Sequence, residues 1–196
     1  MMRQFARPPK IILLDRDGVI NRRIPGGYVT MRDEFVFLPG VLGALKRLAD
    51  EGLKVIVVSN QAGVGKGLLE KAALAEITEQ LVRPVEENGG KIHGVYYCPH
   101  RPDDGCECRK PGPGLLLQAQ REHGFDFRET LMIGDAESDV AAAHRAGCAC
   151  ILVGSDDHEA PRSWRHQPDW IFRDLPDAVR FILGERLERG EAKSAG

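Results

Sequence analysis

The stretch Lys10-Ile-Ile-Leu-Leu-Asp15-Arg16-Asp17-Gly18 decides the fold of this 196-residue chain. Its four apolar residues stand between charged ones, a pattern typical of a short strand that is buried on both faces. Similar runs follow at 54–59, 95–97, 131–133, 150–153 and 170–172, and helical periodicity is present at 41–49, 74–85, 115–123, 138–145 and 176–183. Because parallel strands need long crossover connections, this alternation predicts an α/β fold with a mainly parallel, Rossmann-like sheet covered by helices.

The composition is that of an ordinary globular protein, with 42% hydrophobic and 29% charged residues, which argues against a disordered or fibrous chain. The formal net charge of −2 gives no global field that would attract nucleic acid or an anionic membrane, so we expect neither as a partner. The first ten residues carry charge without an apolar stretch behind them, and the odd number of cysteines, five, fits a reducing compartment. We therefore expect a cytoplasmic protein, and we expect it to be a monomer.

The residues able to perform chemistry stand where the predicted strands end. Asp15 and Asp17 close the first strand, Ser59 closes the second, Asp135 follows the strand at 131–133, and Lys110 begins a loop before a helix. Ligands of open α/β sheets bind at the carboxyl ends of the strands, so these groups should share one crevice. Three carboxylates would repel one another there unless a cation such as Mg²⁺ joined them, and the hydroxyl and the ammonium would complement a phosphate. One carboxylate can attack phosphorus while another exchanges a proton with the leaving oxygen, which favours phosphoryl transfer.

This ordered set resembles the four-part signature of the haloacid-dehalogenase-like (HAD) phosphatases, over roughly residues 10–153. The resemblance implies a HAD fold in which Asp15 attacks the phosphorus and forms an aspartyl-phosphate. Asp17 would protonate the leaving alcohol and then activate the water that hydrolyses the intermediate. Ser59 and Lys110 would hold the phosphoryl oxygens, and the lysine would offset charge in the transition state.

The same resemblance implies a Mg²⁺ site. Its ligands would be the side chains of Asp15 and Asp135 and the backbone carbonyl of Asp17. Asp139, four residues beyond Asp135, would either support the metal or only cap the following helix. Taken alone, an Asp-x-Asp-Gly segment is more often a solvated turn, but the order of the whole set favours the catalytic interpretation.

A second cluster of metal-binding residue types lies between 98 and 108. Cys98, His100, Cys106 and Cys108 supply three thiols and one imidazole, which suits tetrahedral Zn²⁺ in a structural site without an open position. We therefore expect a zinc-binding loop over 98–108, the alternative being a loop of free, reduced thiols. Because the last of these cysteines stands two residues before Lys110, the metal would fix the loop that delivers this lysine to the phosphate.

Within the HAD phosphatases, the Cys-x-His and Cys-x-Cys-Arg-Lys-Pro segments are similar to two groups, the D-glycero-D-manno-heptose 1,7-bisphosphate phosphatases and the histidinol-phosphate phosphatases. Segments such as Gly27-Tyr28-Val29 resemble the heptose group more, whereas the five-residue gap after His100, expected to border the substrate, resembles the histidinol group. The heptose resemblance implies Mg²⁺-dependent hydrolysis of the 7-phosphate of the bisphosphate, in the biosynthesis of heptose precursors. The residues that would bind the phosphorylated sugar are Gly26, Gly27, Tyr28, Asn60, Gln61 and Arg109, although an arginine at position 109 could also be a solvated surface residue.

We expect one HAD-like domain over 1–184 and a disordered tail over 185–196, which is charged and has no apolar face. The segment 18–38 is short, and 62–109 is filled by a helix, a strand and the cysteine loop, so we predict an enzyme without a cap domain. The glycine-rich segment 63–67 lacks the residues of a nucleotide-binding loop and is predicted to be a flexible turn before a helix that starts near Leu69. Two other functions are less favoured: a non-catalytic, zinc-stabilised binding module, against which the intact Asp15 and Asp17 argue, and a nucleic-acid 3′-phosphatase, which no basic stripe in the sequence supports.

Overall fold

The computed structural model describes residues 7–154, 160 and 163–185, together with the backbone of 193–194. Its strands are β1 (Ile11–Leu14), β2 (Lys54–Asn60), β3 (Ile92–Cys98), β4 (Thr130–Gly134), β5 (Ala149–Val153), β6 (Trp170–Phe172) and β7 (Lys193–Ser194). Its helices are α1 (Val41–Asp50), α2 (Ala62–Gly65), α3 (Lys71–Glu87), α4 (Gly114–His123), α5 (Glu137–Ala146) and α6 (Leu175–Ile182). Two short 3-10 helices lie at Arg32–Glu34 and Phe127–Glu129.

These strands belong to one sheet, in the order β3-β2-β1-β4-β5-β6-β7. The strands β1 to β6 are parallel, and the two-residue β7 is antiparallel to its neighbour. From β1 the chain moves to β2 on one side, and it later continues as β4 on the other side. Such a reversal opens a crevice at the carboxyl ends of the strands, so the ends of β1 and β4 are the expected ligand site.

The strands are apolar on both faces because helices cover both sides of the sheet. Along β1, Ile12 and Leu14 pack into the core that α1, α3 and α6 share, whereas Ile11 and Leu13 pack into the core that α4 and α5 share. Every residue of β1 is buried, as its uninterrupted apolar run predicted. The predicted α/β architecture is therefore confirmed.

The segment between β1 and α1 folds back on itself and forms no second domain. The N–H of Arg22 donates to the carbonyl of Val36 at 2.8 Å, and the N–H of Leu38 donates to the carbonyl of Ile20 at 2.9 Å. The two arms of the loop are thereby paired above the end of β1. The prediction that the fold has no cap domain is confirmed.

Two local predictions are wrong. The segment 63–67 was predicted to be a flexible turn, but its first three residues belong to the helical turn α2, whose Gly65 N–H donates to the Pro99 carbonyl at 2.9 Å. The following helix starts at Lys71. The N-cap of α5 is Ala136, so Asp139, for which a role as helix cap was one expectation, is not the N-cap residue. Asp139 instead stands in the first turn, where its carboxylate accepts a hydrogen bond from the Ala136 N–H at 3.1 Å.

The predicted tail over 185–196 lies outside the described residues, apart from 185 and the backbone of 193–194. The domain boundary after residue 184 therefore stays a prediction. Within the part of the chain that the structure describes, no helix combines the length and apolar character that crossing a bilayer requires.

Candidate active site

A cavity of about 610 Å³ opens at the carboxyl ends of β1, β2 and β4, where the order of the strands in the sheet reverses. The end of β1 supplies two aspartates to it, β2 a serine, the loop before α4 a lysine, and the ends of β4 and α5 one aspartate each. The predicted catalytic and magnesium-binding side chains all line this cavity, together with the aspartate for which two roles were open: Asp15, Asp17, Ser59, Lys110, Asp135 and Asp139.

Lys110 is a buried cation of this cavity, with 3% of the residue exposed. Its ammonium lies 2.7 Å from a carboxylate oxygen of Asp15 and 2.5 Å from one of Asp139, and it donates to the Val58 carbonyl at 2.8 Å. Burial alone would favour the neutral amine, but the charges of Asp139 and Asp15 outweigh it and raise the pKa of Lys110. The lysine is therefore a permanent positive charge beside the predicted nucleophile.

Three carboxylates lie close together where the strand order reverses. One oxygen each from Asp15, Asp135 and Asp139 lies within 4.8 Å of the others. Burial, followed by the charges of Asp15 and Asp139, raises the pKa of Asp135 to about 7. Arg23 donates to Asp135 from the solvent side at 2.8 Å. Anionic oxygens crowded in a partly buried site fit a hard divalent cation such as Mg²⁺, which would relieve their repulsion.

Gly18 lets Asp135 approach the end of β1. The residue has a φ of +92°, and a Cβ at this position would lie 2.1 Å from Oδ2 of Asp135. Any larger residue would be strained and would have to displace that carboxylate. The turn at Gly18 thus leaves room for the Asp135 carboxylate beside Asp15 and Asp17, which follow β1.

Asp17 is surrounded by hydrogen-bond donors on both of its oxygens. Asn21 Nδ2 donates to Oδ1 at 2.8 Å, and Gln61 Nε2 donates to Oδ2 at 2.8 Å. Arg16 Nη2 lies 3.0 Å from Oδ1 and 2.9 Å from Oδ2. The aspartate side chain is 24% exposed and lines the cavity, whereas the arginine side chain is completely buried.

Gln61 does not line the cavity, in contrast to the prediction that it contacts the substrate. The residue is 1% exposed, and its amide nitrogen donates to Asp17 and, at 3.2 Å, to the Ser59 hydroxyl. Its amide oxygen accepts from Arg16 at 3.1 Å. Because α2 begins at the next residue, the chain turns inward here and the glutamine faces the protein interior. The residue before it, Asn60, does line the cavity, where it holds the main chain of Lys110.

The outer wall of the cavity comes mainly from the loop after β1 and from the segment around α2. Gly26, Gly27, Tyr28 and Arg109 lie in this wall, where sequence reasoning expected substrate contacts. Arg109 also approaches the His100 carbonyl, with Nη1 3.5 Å from that oxygen. Their contacts with a sugar phosphate stay a prediction.

Sequence reasoning missed two cations in this wall, Arg23 and Lys66. The arginine is paired with Asp135, and its side chain is 61% exposed. The ammonium of Lys66 lies 5.4 Å from the centre of the Tyr28 ring, within the range of a cation–π interaction. The sequence carries little signal for either residue, because a single cation in a glycine-containing loop is usually solvated.

The cysteine loop closes on itself as the zinc hypothesis requires. One possible ligand atom from each of Cys98, His100, Cys106 and Cys108 lies within 4.8 Å of the others. The sulfur of Cys98 is 3.2 Å from that of Cys108 and 3.6 Å from that of Cys106, close to the spacing of about 3.8 Å across a tetrahedron with Zn–S bonds of about 2.3 Å. Burial, followed by the hydrogen bond with Cys108, raises the pKa of Cys98 to about 12, so a cation would be needed to hold Cys98 as a thiolate.

The gap between the two halves of the cysteine cluster does not shape the cavity. Residues 101–105, all of which the structure describes, are exposed and are absent from the cavity wall. The lining of the cavity therefore gives no support to the expectation that this segment borders the substrate. Its short length gives no support to the histidinol-phosphate interpretation.

Comparison with known proteins places these features in a family context. A family model described as HAD-hydrolase-like matches residues 107–178. The D-glycero-β-D-manno-heptose-1,7-bisphosphate 7-phosphatase of Bordetella bronchiseptica is 40% identical over 144 residues, which are 74% of this chain and 80% of that protein. The protein of the same name from Photorhabdus laumondii subsp. laumondii is 40% identical over 180 residues, which are 88% of this chain and 95% of that protein.

A solved structure extends the similarity to three dimensions. The D,D-heptose 1,7-bisphosphate phosphatase of B. bronchiseptica, complexed with magnesium and phosphate, matches this fold with a TM-score of 0.79 at 35% sequence identity. The match covers 89% of this chain and 98% of the solved one. The magnesium and phosphate in that structure agree with the chemistry expected for the carboxylates and the lysine of the cavity.

Proposed function

Because this chain belongs to the D-glycero-β-D-manno-heptose 1,7-bisphosphate 7-phosphatase family of HAD-like hydrolases, we propose that it hydrolyses the 7-phosphate of that bisphosphate. The main support for the proposal is that Asp15, Lys110 and Asp135 line one cavity, at the point where the strand order reverses. We take the β anomer as substrate, since the relatives carry it in their names.

In the first step, Asp15 is the nucleophile. One of its oxygens is held by Lys110 at 2.7 Å, and its other oxygen attacks the phosphorus. The bond from phosphorus to the C7 oxygen of the sugar breaks, and Asp17 donates its proton to that oxygen. Lys110 and the Ser59 hydroxyl bind the phosphoryl oxygens, on which charge accumulates.

The side chains of Asp15 and Asp135 and the backbone carbonyl of Asp17 would hold Mg²⁺. When bound, this ion supplies positive charge that neutralises the phosphoryl oxygens and the crowded carboxylates. Asp139 acts on the lysine instead. Its carboxylate lies 2.5 Å from the Lys110 ammonium and 3.1 Å from the Ala136 nitrogen, so it holds the lysine against the start of α5.

In the second step, the aspartyl-phosphate is hydrolysed. Asp17, now a carboxylate, takes a proton from a water molecule, and the water oxygen attacks the phosphorus. The bond between phosphorus and Asp15 breaks, which releases inorganic phosphate and restores the free carboxylate. Each of the two aspartates thus returns to its starting state after one turnover.

A bisphosphate brings a second phosphate, which stays bound to C1 and needs its own cations. Arg109, Lys66 and Arg23 also line this cavity. Arginine can bind a phosphate through two parallel N–H groups, and lysine adds a point charge. We assign the 1-phosphate to this group of cations and the sugar to the wall formed by Gly26, Gly27 and Tyr28.

The cysteine loop would hold a structural Zn²⁺. Cys108 and Lys110 are separated by one residue, so the ion would fix the main chain from which the lysine reaches Asp15. We further propose that the enzyme is a cytoplasmic monomer. The five cysteines are unpaired, which fits a reducing compartment.

The decisive experiment measures phosphate release by the purified full-length protein. The substrates are both anomers of the heptose 1,7-bisphosphate, a hexose bisphosphate, histidinol phosphate and a 3′-phosphorylated oligonucleotide, each with Mg²⁺ and with a chelator. We expect the highest kcat/KM for the β-heptose bisphosphate, dependence on Mg²⁺, and no turnover by Asp15→Asn. A preference for histidinol phosphate or the oligonucleotide would refute the substrate assignment, and absence of turnover on every ester would favour the binding-module alternative.

A further inference from the structure

Behind the proposed acid–base residue Asp17 lies a buried arginine that the reaction described above does not use. Arg16 has no exposed surface, and its guanidinium group lies 5.7 Å from the centre of the Tyr97 ring. Its Nη2 contacts both oxygens of Asp17 and the amide oxygen of Gln61. Removing an arginine from water costs several kcal/mol, and apolar residues of similar volume often stabilise a core as well or better. Stability alone therefore gives little reason for this charge.

The arginine and its neighbours form one connected group, which we call the Asp17 clamp: Arg16, Asn21 and Gln61. Asn21 and Arg16 are completely buried, and Gln61 is 1% exposed. Each donates to the Asp17 carboxylate at 3.0 Å or less. Because all three are fixed by the protein interior, they limit the rotation of a side chain that itself stands at the cavity wall.

We infer that Arg16 and Gln61 are positioning residues that orient the Asp17 carboxyl group toward the leaving oxygen of the substrate. This inference rests on the proposed function, since it assumes that Asp17 delivers a proton during phosphoryl transfer. A carboxyl group transfers a proton efficiently only when it is held within hydrogen-bond reach of its target. Gln61 also donates a hydrogen bond to the Ser59 hydroxyl at 3.2 Å. It therefore connects Asp17, the proposed acid, with Ser59, which is proposed to bind the phosphoryl oxygens.

The test compares two esters that differ in their need for a proton. Hydrolysis of the sugar bisphosphate releases an alcohol, a poor leaving group whose oxygen must be protonated by a general acid. Hydrolysis of p-nitrophenyl phosphate releases p-nitrophenolate, a good leaving group that needs no such proton. The quantity to compare is kcat/KM, which covers the steps up to the aspartyl-phosphate, where Asp17 acts only as an acid. The variants are Gln61→Met, which keeps the side-chain volume, and Arg16→Lys, which keeps the charge, with Asp17→Asn as the reference.

We expect Gln61→Met and Arg16→Lys to lower kcat/KM for the sugar bisphosphate by about 10- to 100-fold and for p-nitrophenyl phosphate by less than about 3-fold. Asp17→Asn should show the same selectivity with a larger loss, of about 100-fold or more, as expected for a missing general acid. Thr130→Val is the matched control, because Thr130 is a buried polar residue at the far end of β4 whose loss should reduce stability without ester selectivity.

The possible failures can be told apart. Equal losses on both esters in the Gln61→Met protein, beside a selective loss in Asp17→Asn, would overturn the inference and leave the proposed function intact. Equal losses in Asp17→Asn itself would overturn the acid assignment on which both rest. Circular dichroism identifies variants that do not fold; if Arg16→Lys is one of them, the Gln61→Met protein decides the question alone.

Discussion

The side-chain amide of Asn60 pairs with the main chain of Lys110 as two strands pair with each other. Its Nδ2 donates to the Lys110 carbonyl at 3.0 Å, and its Oδ1 accepts from the Lys110 N–H at 3.0 Å. The last residue of β2 is thereby tied to the loop that carries the Lys110 ammonium, fifty residues later in the chain. This pairing fixes the position of the Lys110 backbone, from which the side chain extends into the cavity.

Asn60→Ala should impair catalysis more than folding. Loss of the two hydrogen bonds frees the backbone of Lys110, and misplacing a charge-stabilising group by about 1 Å can cost about 100-fold in rate. We expect kcat to fall by about 10- to 100-fold, while the midpoint of thermal unfolding falls by only a few degrees. Steady-state kinetics and calorimetry measure the two effects, with the exposed Asn88→Ala as the control. Full activity in the Asn60→Ala protein would show that the zinc loop alone positions the lysine.

Lys66→Ala should weaken recognition of the second phosphate without affecting the chemical step. An exposed cation–phosphate contact is worth about 1 kcal/mol, so KM for the bisphosphate should rise by about 5-fold. The same variant should act on the heptose 7-monophosphate, which has no 1-phosphate, with nearly unchanged parameters. Lys46→Ala, which removes an exposed lysine paired with Asp50, is the control. An equal KM increase on both substrates would place Lys66 near the sugar or the 7-phosphate instead.

In the metal-free protein, Asp135 should contribute progressively less to stability as the pH rises from about 4 to about 7. The pKa of Asp135 is raised to about 7 by burial and by the charges of Asp15 and Asp139, whereas in the unfolded chain it is about 3.9. Between these values Asp135 binds more protons in the folded state than in the unfolded state, so its contribution to the free energy of unfolding decreases with increasing pH.

Magnesium binding should reverse this trend, because the ion needs the ionised carboxylate. Thermal unfolding with and without Mg²⁺ should therefore show a larger increase in Tm at pH 8 than at pH 5. In Asp135→Asn, which cannot ionise, most of the difference between the two pH values should disappear. Equal stabilisation of the parent protein at both pH values would contradict the assignment of Asp135 as a magnesium ligand.

Loss of zinc should inactivate the enzyme indirectly. A zinc-selective chelator, used with excess Mg²⁺, should remove one zinc ion per chain and lower kcat by at least about 10-fold, because the loop before Lys110 is released. Cys108→Ser should have the same effect, with zinc content measured by mass spectrometry. Cys148→Ser, a buried cysteine outside the cluster, should retain zinc even where it lowers Tm. A zinc-free protein of full activity would refute this coupling.

The sequence was sufficient to predict the sheet and the inner half of the site. The apolar run of β1 and the rule that ligands bind at strand ends together place Asp15, Ser59 and Asp135 in one crevice. Those residues follow strands directly, so their positions depend on little besides the strand order. The cluster of Cys98, His100, Cys106 and Cys108 was predictable for a similar reason, since these residues are close in sequence and are all of metal-binding types.

The outer half of the site depends on tertiary contacts that local patterns do not reveal. Gln61 turns inward only because α2 starts directly after it, and Arg23 reaches Asp135 only because the arms of its loop pair with each other. Aspartate near the start of a helix usually indicates a cap, but the ion-pair partner of Asp139, Lys110, lies in a loop that is distant in sequence. Each of these side chains could be assigned only once the path of the backbone was known.

The paired loop above β1 has a kinetic consequence. In enzymes that close a lid over the substrate, opening of that lid often limits turnover. Among the described residues no separate domain covers the cavity, so substrate would enter and phosphate would leave without the opening of a cap domain. Added viscogens such as glycerol should consequently slow only diffusive encounter, and the turnover number at saturating substrate should be set by bond making and breaking.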